Sequence, residues 1–213
     1  MDKLINRILS VYKKELQIDK DQEAITQYAL RILISTIVGY VVTLLIAWPL
    51  GVFTYALILL LITSVLRSFS GGAHCSSARN CTIYGTLIVS ILALLLKHIP
   101  FSTPIIMSTI PVTFFFSLWA INKYAPADTP GKPIGTKKQK EVLRKWSLIL
   151  LCIWGAVVIV SYYMSGAIHP WLFVSAVGLL WQSFSLTKTG YMFCHFADKI
   201  LNKVFRERRN LCA

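Results

Sequence analysis

A chain of 213 residues that is 55% hydrophobic and 15% charged, with a mean hydropathy of +0.62, is not an ordinary soluble domain, in which about a quarter of residues are charged. Its apolar runs approach the roughly 20 residues that cross a bilayer, so the chain reads as an integral membrane protein. The net charge of +13 then points to basic cytoplasmic loops and not to nucleic acid, since there is no soluble basic domain to carry such binding.

In residues 1–20, Leu4, Ile5, Ile8, Leu9, Tyr12 and Leu16 recur at helical spacing, interleaved with Lys3, Arg7, Lys13 and Lys14. The pattern predicts an amphipathic helix, lying on the membrane surface or packed on other helices. The stretch is too charged to be a cleavable signal peptide. Asp19 and Asp21 offer a cap for the next helix. Six spans follow, near 27–47, 50–66, 82–97, 104–121, 147–164 and 170–187. The second and third are the shortest, which allows a tilt or a partial embedding. Trp48–Gly51 predicts a tight turn between the first two. Residues 191–209 form another basic amphipathic stretch, expected to lie on an anionic leaflet. The expected fold is all-α: one polytopic membrane domain over 1–213, with about six transmembrane helices plus N- and C-terminal amphipathic helices.

Every lysine and arginine except Lys97 falls in the N-terminal segment, counting Arg31 near the start of span one, in the loops after spans two and four, or in the tail. Basic residues stay on the cytoplasmic side, so both termini and the loop after span two are expected there.

That loop carries the chemistry. It runs from Arg67 through Gly71, Gly72, Ala73, His74 and Cys75 to Arg79, Asn80 and Cys81, between two apolar runs. An imidazole and a thiol are the minimum kit for a cysteine nucleophile with its base. In one continuous helix His74 and Cys81 would stand about 10.5 Å apart along the axis. The segment must therefore bend if they act together, and Gly71 and Gly72 allow it. Arg67 and Arg79 add positive potential that favours a thiolate or binds a carboxylate. Asn80, Ser76, Ser77 and the distant Asp128 are candidates for orienting the histidine. Backbone amides around Gly71–Ala73 or at Cys81 are candidate oxyanion donors. The bland reading is an accidental polar cluster.

Cys75 competes with Cys81, but its adjacency to His74 makes an awkward geometry; the same objection meets the Cys194 and His195 pair. Cys152 reads as an inert buried thiol, and His98 and His169 as interfacial residues. The five cysteines show neither a disulfide framework nor metal-ligand spacing, and no metal or cofactor is expected. No H-E-x-x-H, G-x-S or P-loop pattern occurs. No span holds an acid, which disfavours a proton-coupled transporter.

These residues resemble the accessory gene regulator B (AgrB) family of membrane endopeptidases that mature cyclic peptide pheromones in Gram-positive quorum sensing. Three segments carry the resemblance: Arg67 and Gly71–His74 followed by Cys81 at the His-x6-Cys spacing; Tyr124 to Ile134, ending in Lys132, Pro133 and Ile134; and Trp181 to Gly190. The resemblance implies Cys81 as nucleophile and His74 as its base, with Arg67, Gly71 and Gly72 in support. Pro130 and Gly131 stand where some members carry lysines. Binding by that loop then rests on Lys132 and more on Lys137, Lys138 and Lys140. The implied partner is an AgrD-like propeptide met at the membrane lipids, and the implied product a thiolactone pheromone. A homodimer is entertained only on the general prevalence of twofold symmetry. The rival readings are a non-catalytic transporter or export channel for a small peptide, and a scaffold that recruits acidic partners.

Overall fold

The computed structural model describes residues 8–10, 19–99, 101–127 and 136–211. Its described residues form seven helices after the short N-terminal piece: α1 Lys20–Ala47, α2 Phe53–Ser70, α3 Ala78–His98, α4 Thr103–Tyr124, α5 Lys137–Ser165, α6 Pro170–Leu186 and α7 Lys188–Leu211. No strand occurs among them. The expected amphipathic helix over 1–20 lies largely outside the described residues.

Among the described residues, five helices are long and apolar enough to cross a membrane: α1 from Ile25, and α2 to α5. The sixth expected span is α6, an apolar helix of 17 residues. That is the lower limit for crossing a bilayer. More than half of α6 is buried, and it packs chiefly on α2 and α4. Gly178 makes the first contact close, since a Cβ there would stand 2.3 Å from Ile62 Cγ2. Polar pairs tie α6 to its other neighbours. Ser183 Oγ donates to Ser117 Oγ of α4 at 2.8 Å, and Trp154 Nε1 of α5 to Ser175 Oγ at 2.8 Å.

α1 begins at a capping box. Asp19 Oδ1 accepts from the Gln22 N–H at 2.7 Å, and Gln22 Oε1 from the Asp19 N–H at 3.4 Å, satisfying donors that every helix start leaves free. Asp19 is thus the cap foreseen from the sequence. α1 keeps a broad apolar face exposed, including Leu33, Ile37, Val41 and Leu45, as a lipid-facing helix must. Its narrow inner face packs on α3 through small and hydroxylated residues. Gly39 faces Thr82, and Thr43 Oγ1 lies 2.9 Å from Thr86 Oγ1.

α3 starts four residues before the expected span. Ser77 caps it, its Oγ accepting from the Asn80 N–H at 3.2 Å. The polar residues 78–81 therefore form its first turn, and the helix reaches 21 residues. α5 likewise starts ten residues early, at a Thr136 cap, because its charged first turns continue the helix beyond the apolar run.

The ends of α2, α4 and α6 meet the starts of α3, α5 and α7 at one end of the bundle. There the Ala127 N–H donates to Ser70 O at 2.8 Å and the Ala73 N–H to Ser185 O at 3.2 Å, and Arg144 Nε donates to Ala125 O at 2.8 Å. Lys97, the lone basic residue of the other parity, lies at the opposite end and donates to Leu50 O of the Trp48–Gly51 turn at 3.1 Å.

Candidate active site

Ser70 ends α2, and Gly71 leaves it in a left-handed conformation (φ 70°). A Cβ at Gly71 would stand 2.4 Å from Ala127 O. Gly72 also has positive φ (144°), and a Cβ there would meet Ser185 Oγ at 2.9 Å and the Arg67 guanidinium at 3.2 Å. Only glycine supplies both the backbone freedom and the space. Gln182 Nε2 of α6 donates to Gly71 O at 2.7 Å, and the Arg67 guanidinium donates to Ala73 O. The two glycines and Arg67 thus act together to turn the chain back over the end of α6.

The turn leaves His74 exposed in the loop, with Cys81 one turn into α3. His74 Nδ1 lies 3.9 Å from Cys81 Sγ, long for a thiol–imidazole contact but within reach of proton transfer on a small movement. The bend required by the seven-residue spacing is therefore present. Both side chains line a cavity of about 220 Å³, with Arg67, Ala73, Trp181 and Gln182 around them.

Cys75 lies between two other thiols, Cys81 and Cys194. Its Sγ lies 3.7 Å from Cys194 Sγ in α7. Hydrogen bonding with Cys194 and Cys81, together with burial, pushes the Cys75 thiol well up, so it stays protonated and a poor nucleophile. Cys194 is buried while its neighbour His195 is exposed, so that pair has no shared cleft. Cys152 is exposed on α5, the face a span turns to lipid, instead of buried as its apolar surroundings suggested.

Two of the residues proposed to orient His74, Ser76 and Asn80, are engaged with α7. Asp198, 4% exposed, accepts from Asn80 Nδ2 at 2.8 Å and from the Ser76 N–H at 3.2 Å. Asn202 Nδ2 donates to Ser76 Oγ at 3.1 Å, and Asn202 Oδ1 accepts from Asn80 Nδ2 at 2.9 Å. Burial works to raise the Asp198 carboxyl, but hydrogen bonds from Asn80 and Ser76 outweigh it and hold the group below the usual carboxylate range. Ser77 is spent as the α3 cap, and Asp128 lies outside the described residues. Sequence reasoning missed Asp198 and Asn202. The available signal was an acid at helical spacing from Cys194 within an otherwise basic amphipathic segment.

Other expectations change with the geometry. The N–H groups of Gly71, Ala73 and Cys81 already donate to Arg67 O, Ser185 O and Ser77 O, so as they stand they are unavailable to an oxyanion. Arg79 stacks its guanidinium 3.7 Å over the Phe205 ring of α7 and does not line the cavity. Lys137 and Lys138 stand exposed in the first turn of α5, also away from the lining. Lys132 lies outside the described residues. α7 turns Cys194 and Asp198 inward and leaves Met192, Phe196 and Ile200 exposed, the two-faced pattern expected of the tail.

The accessory gene regulator B family model matches residues 5–186. A putative AgrB-like protein of Clostridium perfringens strain SM101 is 33% identical over 96% of this chain and 98% of its own length. Putative AgrB-like protein 2 of Clostridium perfringens strain 13 is 32% identical over 89% and 92%. Accessory gene regulator protein B of Staphylococcus aureus strain MW2 is 27% identical over 71% and 79%. No solved structure matches the chain.

Proposed function

Since the chain belongs to the accessory gene regulator B family, we propose that it is a membrane cysteine endopeptidase of quorum-sensing peptide processing. Its substrate is an AgrD-like propeptide, from which it removes the C-terminal tail and enables thiolactone closure of the pheromone. The observation that carries this reading is the approach of His74 Nδ1 to Cys81 Sγ, 3.9 Å apart, at the mouth of a cavity.

In the first step His74 takes the Cys81 thiol proton as sulfur attacks the carbonyl at the pheromone–tail junction. The C–N bond breaks, His74 returns the proton to the leaving amine, and an acyl-thioester remains on Cys81. In the second step the substrate's own cysteine gives its proton to His74 and attacks that thioester. Cys81 leaves as thiolate and recovers the proton. One thioester replaces another, so this second step needs no added energy source, but water must be kept from the acyl group.

The catalytic end is cytoplasmic in this reading, since it gathers the basic loops. An acidic propeptide tail would be drawn there by the +13 protein, and confinement of both partners to the membrane plane raises their effective concentration.

The test is intact mass of the purified protein after mixing with the propeptide. The expected result is a gain equal to the tail-less peptide, absent in Cys81→Ala and reversed by hydroxylamine. Tail release without any adduct, or an adduct that persists in Cys81→Ala, would overturn the mechanism.

A further inference from the structure

The cavity behind His74 and Cys81 runs along α3 from Cys81 to Val89, about 12 Å at the helical rise. Its lining is unusual for the interior of an apolar bundle. Ser35, Tyr40 and Thr43 of α1, Ser64 of α2, and Thr82 and Thr86 of α3 place hydroxyl-bearing residues in a lining that is otherwise mainly apolar. Several are paired: Thr43 with Thr86 at 2.9 Å, Ser35 with Thr82 at 3.4 Å, and Tyr40 with Ser64. Arg67 is the one lysine, arginine, aspartate or glutamate among the lining residues, and it sits at the mouth, with its guanidinium on the loop carbonyl of Ala73.

This lining selects by chemistry. A peptide segment carries an N–H and a C=O at nearly every residue, and these cost free energy when taken from water without partners. Thr43 and Ser64 spend their protons on Gly39 O and Leu60 O of their own helices, but a hydroxyl oxygen whose proton is spent still accepts, so such groups can meet a peptide N–H. A lipid chain would gain nothing from them. A charged side chain would lose its hydration without a counter-ion beyond the mouth. The volume of about 220 Å³ falls below the roughly 300–1,000 Å³ of sites for drug-sized ligands. It suits a short segment and not a whole pheromone.

We propose that this hydroxyl-lined cavity is the subsite for uncharged residues immediately on the acyl side of the scissile bond, and that it sets substrate specificity by rejecting charge and bulk there. The inference rests on the endopeptidase reading and adds to it the class of residue the site accepts. The acidic tail leaves toward the basic end, while the acyl segment stays in the cavity, out of water, until the substrate thiol closes the ring.

Gly85 provides the test. It lines the cavity, it lies mid-helix in α3, and a Cβ built on it meets nothing within 4 Å. Gly85→Leu therefore narrows the cavity at a position that takes no part in the hydrogen bonds around His74 and Cys81. Tail release is measured by mass for wild type and Gly85→Leu against a propeptide panel. The panel places Asp, Lys, Leu or Gly at each of the two residues before the cleavage site. Wild type should lose about tenfold or more with Asp or Lys, as one misfitted side chain in a pocket is worth roughly 10- to 200-fold. Gly85→Leu should lose as much with the Leu substrates and recover with Gly at one of the two positions. Recovery by a smaller substrate residue cannot come from a misfolded variant. A wild type that tolerates charge, or a Gly85→Leu loss that is absent or equal across the panel, would overturn the subsite while leaving the endopeptidase reading intact. A wild type that releases no tail from any propeptide would overturn that reading, and the subsite with it.

Discussion

Asn80 Nδ2 donates a 2.8 Å hydrogen bond to Asp198 Oδ1, joining the first turn of α3 to the middle of α7 across 118 residues of sequence. The same carboxylate accepts from the Ser76 N–H. Asp198 therefore grips the chain on both sides of Ser77, between the proposed base and the proposed nucleophile. It does not touch the reacting atoms in this arrangement; it holds the loop that carries them.

Asp198→Ala removes the acceptor and leaves the fully buried Asn80 without a main partner, which costs about 1–3 kcal/mol. Tail release should fall by about tenfold or more through kcat, since positioning errors of about 1 Å can cost a hundredfold. Asp198→Asn keeps one acceptor oxygen and should recover part of the rate. The check is steady-state processing of the propeptide by the three proteins; equal rates for Ala and wild type would dismiss the clamp.

The same residue has a pH signature. Hydrogen bonding outweighs burial and holds the folded-state group below its usual range. A depressed carboxyl stabilises the fold in its ionised form. Its contribution is complete above the unfolded value of about 3.9 and is lost as pH falls through the folded value. The melting temperature of wild type in detergent should exceed that of Asp198→Asn by a constant margin from pH 7 to pH 5, and the margin should shrink below about pH 4. A margin that grows on acidification would have the wrong sign.

Cys81→Ala and His74→Ala should each lower tail release by more than about a thousandfold, the scale on which loss of a nucleophile or its base is felt, while the protein still inserts in the membrane. Cys75→Ala should keep most of the activity, because its thiol is held protonated against Cys194. Quantitative blotting of released tail beside membrane-fraction levels separates catalysis from expression. Activity retained in Cys81→Ala would transfer the nucleophile's role elsewhere.

Much of this arrangement was legible in the sequence, and the physical reasons divide what was from what was not. Bilayer thickness imposes a length on apolar runs, so the C-terminal ends of α1 to α6 could be placed to within four residues, whereas α1, α3 and α5 begin seven, four and ten residues before the expected spans. Gly71 and Gly72 foretold the bend because a pair of glycines before a histidine and cysteine has few other uses. The start of α3 was not legible, since polar residues 78–81 look like loop until Ser77 is seen capping them. The Asp198 clamp was hidden further still: hydropathy sorts α7 into apolar and basic faces, and an inward carboxylate registers only once the loop it binds is known. Spent backbone donors at Ala73 and Cys81 likewise depend on tertiary pairing that no local pattern encodes.

Gly71→Ala tests the turn itself. The position combines φ 70° with ψ −150°, a region essentially restricted to glycine that costs a residue with a Cβ about 1–3 kcal/mol, and the new Cβ would press on Ala127 O, a backbone atom that cannot swing aside. The substitution should lower the melting temperature in detergent and displace His74 from Cys81, reducing tail release more than the stability loss alone accounts for. Gly166→Ala is the control. It also has a positive φ, 67°, at the end of α5, but with ψ 1° in the ordinary left-handed helical region, and nothing stands within 4 Å of its Cβ, so it carries a milder backbone cost and no clash. Processing assayed below the melting temperature of both variants should be impaired only in Gly71→Ala. Equal activity in the two would mean that the close approach of Ala127 to the loop contributes nothing to the site.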